Sequence, residues 1–322
     1  MPESGGGWVD EWARRGILLL ALAVALLSST SCFGKGDGET IDLGTLPAQT
    51  NPSAATESPS EGLVFAVAAV NSPRSTLDAY QELALYLGER LGIGAKLLSS
   101  KTYAEINSLV RSGDATLAMV CSGAYVFGHS EFGMELLASP VISGEQTYRS
   151  YLIVPAQSNV SGWEDLRGKT FAFTDPLSNS GRLVPLYEIS RMGKIPESFF
   201  SKYIFTYSHD NSIKAVAHGL VDAAAVDSLI YEYALTTGQD DAARTKVIWR
   251  STPYPINPVV VNPRLDPTKK AELRRLLLEM HLDPEGKLIL KRLGFDRFAP
   301  TDDGDYDSIR DMVRATGAGT LP

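Results

Sequence analysis

From residue 63 onward, short apolar runs alternate with amphipathic stretches. Residues 63–70 form an unbroken apolar run of strand length, closed by Asn71-Ser72-Pro73. Leu77, Tyr80, Leu83, Ala84 and Leu87 then recur at helical spacing over 76–91, until Gly92 and Gly94 stop them. A short strand is predicted at 95–98, a helix at 103–111 closed by Gly113, and a strand at 116–120. The order strand, helix, strand, helix, strand predicts a parallel sheet with crossover helices. Residues 148–154 mix polar and apolar positions and read as a crossover strand.

The pattern then begins again. A helical turn is predicted at 163–168, a buried strand at 169–173, a helix at 183–192 and a strand region within 199–207. A helix at 212–218, a strand at 222–226 and a helix carrying Tyr231 complete this half. Strands at 246–249 and 258–261 are placed to carry the chain back, and charged helices at 267–289 and 306–315 are expected on the outside. Residues 112–122 and 218–228 echo one another. Each passes from a helix end through a glycine, Gly113 or Gly219, into an Ala-rich strand. Each finishes at a polar pair, Cys121-Ser122 or Asp227-Ser228, with a tyrosine shortly after, Tyr125 or Tyr231. Two lobes presenting the same kind of strand end to a shared cleft are therefore expected. Lobe 1 is assigned 62–153 plus 251–322, and lobe 2 is assigned 154–250.

Length and composition fit this picture. A chain of 322 residues, 44% hydrophobic and 21% charged, is ordinary globular material and long enough for two lobes. A net charge of -8 excludes a basic face able to neutralise nucleic-acid phosphates. Any anion must then be held by dipoles and hydrogen bonds. The two cysteines, Cys32 and Cys121, make neither a disulfide framework nor a zinc site, so no metal or other cofactor is expected.

The N-terminus is a targeting segment. Arg14-Arg15 precede an apolar run at 17–27, too short to span a bilayer comfortably, and then Ser28-Ser29-Thr30-Ser31-Cys32. Residues 1–31 read as a secretory signal whose end resembles a bacterial lipoprotein signal, with Cys32 the lipidated residue. Ser29 stands where that pattern usually has leucine, so cleavage without lipid stays open. Residues 32–61, rich in Gly, Ser, Thr, Pro and Ala, read as a flexible tether. An exported protein anchored at a membrane and facing the periplasm or cell exterior is expected.

The candidate chemistry centres on Thr174-Asp175-Pro176-Leu177-Ser178-Asn179-Ser180-Gly181-Arg182. This loop lies between a strand's carboxyl end and a helix's amino end, where open α/β sheets bind ligands and free N–H groups favour an anion. Ser178, Asn179 and Ser180 add short polar side chains, and Gly181 permits close backbone approach. An ordinary capped helix would use the same Ser and Asn.

With Ser208-His209-Asp210, the stretch from Gly219 to Ser228 and Gly123-Ala124-Tyr125, this loop resembles the phosphate/phosphite/phosphonate substrate-binding proteins of ABC transporters. The resemblance implies a two-lobed type II periplasmic binding fold, each lobe a mostly parallel α/β sheet with ligand in the cleft. It implies capture of a phosphorus oxyanion for an ABC permease, without catalysis. Carried over by position, the implied ligand-binding residues are Ser178, Asn179, Ser180, His209, Tyr125, Asp227 and Tyr103. Asn179 departs from the family's usual Thr. Hydroxyl and N–H donors suit anionic oxygens, while a carboxylate at Asp227 can accept from a P–O–H or an amino substituent and rejects sulfate.

Ser180, His209 and Asp227 are also the residue types of a nucleophilic triad. However, Ser-Asn-Ser-Gly is not the Gly-x-Ser-x-Gly elbow of such hydrolases. An anion sensor feeding a membrane kinase would use the same lobes, so that alternative stays open. Hinging is expected near 148–155 and 249–258, and the phosphorus substituent is not specified.

Overall fold

Alternating strands and helices close into two sheets. The structure is a computed structural model that describes residues 62–68 and 74–318, within one unit running from Glu57 to Pro322. The signal segment, the tether and Cys32 lie outside the described residues.

The chain begins as predicted with β1 (Leu63–Ala68), α1 (Arg74–Leu91), β2 (Ala95–Ser100), α2 (Tyr103–Ser112) and β3 (Leu117–Met119). Thr102 and Glu105 form a reciprocal capping box at the start of α2, and Gly113 ends it in the left-handed conformation. Two elements that the pattern did not predict follow, α3 (Ser122–Phe132) and β4 (Glu135–Val141). After β5 (Thr147–Tyr148) come β6 (Ser150–Pro155), β7 (Thr170–Phe173), α4 (Val184–Arg191), α5 (Pro196–Phe199) and β8 (Lys202–Phe205). Next are α6 (His209–Ala217), β9 (Ala223–Asp227), α7 (Ser228–Thr236), α8 (Asp240–Ala243) and β10 (Thr245–Arg250). The return runs through β11 (Tyr254–Pro255), β12 (Val259–Val261), α9 (Pro267–Glu279), α10 (Pro284–Leu293), the unpredicted β13 (Arg297–Ala299) and α11 (Asp307–Thr316).

The six-stranded sheet has the order β13-β4-β12-β3-β1-β2 and the five-stranded sheet β10-β6-β9-β7-β8. Each contains a parallel trio, β2-β1-β3 and β8-β7-β9. Each trio is flanked by an antiparallel strand, β12 on β3 and β6 on β9. The echo between 112–122 and 218–228 therefore marks equivalent strands, β3 and β9. Strand β6 lies wholly in the five-stranded sheet, so the chain changes sheets at Arg149 rather than at the boundary expected after residue 153. The short pair β5–β11 sits beside both connections.

Two expectations are corrected. The helix expected from residue 212 begins at His209, because Ser208 caps it by accepting from the Asn211 N–H. The last helix is not an outer covering. Ile309 and Met312 are buried in a core that joins Ala124 and Tyr125 of α3 to Leu177, Leu183 and Val184 of the other lobe. Burial of one apolar stripe of α11 thus ties the two sheets together.

Candidate functional site

The loop after β7 is fixed by its own side chains. Asp175 Oδ1 accepts from the Leu177 N–H at 2.8 Å, and Ser178 Oγ accepts from the Gly181 N–H at 3.0 Å. The Leu183 N–H reaches back five residues to the Ser178 carbonyl at 3.0 Å, so the helix starts with a wide π turn over Asn179–Leu183. A Cβ at Gly181 would lie 2.3 Å from Thr174 Oγ1, which is why this position is glycine.

The start of α3 faces this loop from the other lobe. A Cβ at Gly123 would lie 2.4 Å from the Leu177 carbonyl oxygen and 2.8 Å from Asn179 N. Among the described residues, three hydrogen bonds also join the lobes here. The Tyr103 N–H donates to Asp175 Oδ2 at 3.2 Å, and the Asn179 N–H donates to Cys121 Sγ at 3.5 Å. Asn179 Nδ2 donates to the Tyr148 hydroxyl at 3.0 Å, and that hydroxyl shares a second bond of 3.0 Å with Ser122 Oγ. The positive ends of two helices therefore meet at one polar cluster.

The cluster is enclosed. Ser178, Asn179, Ser180, His209 and Tyr103 are all buried. Six buried side-chain polar atoms among the described residues lack a hydrogen-bond partner, and three of them are here: the Tyr103 hydroxyl, Asn179 Oδ1 and Ser180 Oγ. Each such atom costs about 1–3 kcal/mol if nothing satisfies it. Burial, with Cys121, Asp175, Asp227 and Tyr148 nearby, holds the Tyr103 hydroxyl well above the usual phenol range, so it is a donor at any physiological pH.

His209 and Asp227 close the cluster from the five-stranded sheet. The Asp227 N–H donates to His209 Nδ1 at 3.2 Å, which makes Nδ1 an acceptor. Burial lowers the imidazole pKa to about 3. His209 is therefore neutral, with its proton on Nε2. Asp227 caps α7 by accepting from the Leu229 N–H at 2.8 Å, yet burial raises its pKa to about 7.

The structure separates one sequence candidate from the rest. The Tyr125 hydroxyl donates to Asp303 Oδ1 at 2.5 Å, and its ring packs edge-on against Tyr306. It faces the C-terminal segment, because a residue one helical turn past the start of α3 points sideways rather than out of the helix end. Tyr148 occupies the cluster instead. Its only sequence signal was a place in a mixed crossover strand. Ser180 Oγ makes no bond to His209, so the nucleophile–base pair of a hydrolase is not formed.

Two sheets of matching order that enclose buried donors between their helix starts define a two-lobed solute-binding protein. The family model described as the phosphonate periplasmic substrate-binding protein of ABC transporters matches residues 65–306, and the chain belongs to that family. The family is a transporter component rather than an enzyme. The chain is 26% identical to the phosphonates-binding periplasmic protein of Escherichia coli K12 over 262 residues, covering 80% of this chain and 77% of the relative. It is 27% identical to a probable phosphite-binding protein of Prochlorococcus marinus MIT 9301 over 165 residues, 49% of this chain and 55% of that one. A binding-protein component of a phosphonate transporter from Pseudomonas aeruginosa superposes with TM-score 0.74 at 25% identity, covering 81% of this chain and 89% of that chain. A Prochlorococcus marinus protein solved with methylphosphonate shares the fold at TM-score 0.72 and 21% identity, covering 80% of this chain and 98% of its own.

Proposed function

We propose that this protein is an exported, Cys32-anchored lipoprotein that captures a phosphorus oxyanion between its lobes and delivers it to a membrane ABC importer. The observation that carries the reading is the pair of buried, unpartnered hydroxyls on Tyr103 and Ser180, gathered where two helix starts face each other. An anionic ligand would accept from the Tyr103, Ser180 and Tyr148 hydroxyls and from His209 Nε2–H, with Ser178 and Asn179 shaping the turn beneath it. Bonds of this kind to a charged acceptor contribute about 1.5–3 kcal/mol each. Asp227 accepts the remaining proton of a P–O–H, which sulfate does not carry.

Contacts to the ligand from both sheets favour the closed arrangement over an open one, and the connections at Arg149 and after Arg250 are the places for the hinge. The closed form is then the one the permease receives. Ser180→Ala removes one donor and adds no bulk. It is expected to weaken methylphosphonate binding about tenfold, consistent with the loss of one charge-assisted bond, with the melting temperature unchanged. Calorimetric titration checks this, and wild-type affinity in the variant would remove Ser180 from the site.

A further inference from the structure

We propose that the cargo carries an extended, apolar and non-anionic substituent on phosphorus, and that a cavity beside the polar cluster holds it. This rests on the oxyanion reading of the site. The cavity measures about 680 Å³, whereas a water-sized group fills about 30 Å³. A bare tetrahedral anion needs only a few such volumes. The size falls within the range of pockets that enclose drug-sized molecules.

The cavity borders the cluster. Cys121, Asp227 and Asn257 line it, and each is bonded to the cluster: Cys121 to the Asn179 N–H, Asp227 through its N–H to His209, and Asn257 to the Ser122 N–H at 3.3 Å. From Asp227 the wall follows one face of α7 through Leu229, Ile230, Tyr233 and Thr236. That face extends about 10 Å at the helical rise. Toward its far end Tyr233 is 47% exposed and so marks the open mouth. Leu77, Met119 and Phe295 also line the cavity. The Tyr80 hydroxyl donates to Met119 Sδ at 3.1 Å, so even this wall tyrosine turns its polar atom to a neighbour.

Charge sets the second condition. Asp78 and Glu232 line the cavity, Glu232 accepting from the Tyr151 hydroxyl at 2.5 Å. Among the described residues the only cation lining it is Arg292, which is bonded to Glu82. A second anionic group on the ligand would meet carboxylates and, among the described residues, no lining cation that is not already paired, so nucleotides and carboxyalkyl phosphonates are disfavoured.

The test is calorimetric titration of the purified protein with methylphosphonate, hexylphosphonate and 6-phosphonohexanoate. Hexylphosphonate is expected to bind at least about tenfold tighter than methylphosphonate, because added methylenes leave water. The terminal carboxylate of 6-phosphonohexanoate should cancel that gain. Tyr233→Asp, at an exposed position, should reduce the preference for hexyl over methyl and leave methylphosphonate affinity unchanged. Methylphosphonate binding as tightly as hexylphosphonate would overturn the proposal and leave the oxyanion site standing. Failure of all three to bind would overturn both.

Discussion

Asp227 and His209 are joined by one hydrogen bond, yet burial moves their acidities in opposite directions, to about 7 and about 3. The signs fix a pH dependence. A His209 held neutral favours the fold above its ordinary pKa of 6.5, and that contribution is lost as pH falls toward 3. An Asp227 held neutral favours the fold at low pH, and that contribution is lost as pH rises through 7. Between pH 7 and 5 the two offset each other. Asp227→Asn leaves the histidine effect alone, so the variant should lose about 2 kcal/mol more than the wild type over that interval in denaturant melts. Equal losses would mean that the two groups do not titrate as their burial implies. The same carboxyl should govern binding. Above pH 7 the complex needs a proton that neither Asp227 nor the ligand retains, so affinity should fall toward tenfold per pH unit, and Asp227→Asn should flatten the fall. At this scale Ser178, Asn179, Ser180, His209, Asp227 and Tyr103 were legible because each sits at a strand end or helix start. Tyr148 was not. Nothing in local pattern tells a tyrosine whose hydroxyl meets Asn179 and Ser122 from one, like Tyr125, whose hydroxyl meets Asp303.

Among the elements, the parallel trios were readable from periodicity and their boundaries moved by only a few residues. Helix α3 was not readable, since residues 122–128 are buried on every side and show no amphipathic stripe. Gly123 and Gly128 within it further mimic a loop signal. The structure supplies the reason for them. A Cβ at Gly128 would lie 2.6 Å from the Met134 Cε, and one at Gly123 would strike backbone of the opposite lobe. Strand β4 reads poorly because Ser139 and Pro140 interrupt its apolar run, and it is completed only by β12 and β13 from far along the chain. Gly123 yields an element-scale expectation. Gly123→Ala cannot keep the observed approach to Leu177 and Asn179, so ligand affinity should drop by about tenfold or more while the separate lobes stay folded. Circular dichroism together with calorimetry checks this, and unchanged affinity would show that α3 does not close onto the loop.

For the whole molecule, the two-lobed architecture was legible because β3 and β9 echo in sequence, whereas the role of α11 was not. Its charged positions are as many as its apolar ones, and part of the core that takes up Ile309 and Met312, at Leu177, Leu183 and Val184, lies on the other lobe more than a hundred residues away in the chain. Met312→Ala should destabilise the protein by about 2–4 kcal/mol, as expected for a buried Met, measurable by chemical denaturation. A surface-like loss of a few tenths would contradict the bridging role. No helix among the described residues is long and apolar enough to cross a membrane. The most direct measurement is titration calorimetry at pH 8 against phosphonate, phosphite, phosphate and sulfate. Micromolar or tighter binding of at least one phosphorus oxyanion, with no heat from sulfate, is the expected result. Sulfate binding as tightly as the best phosphorus oxyanion, or silence across the series, would contradict it.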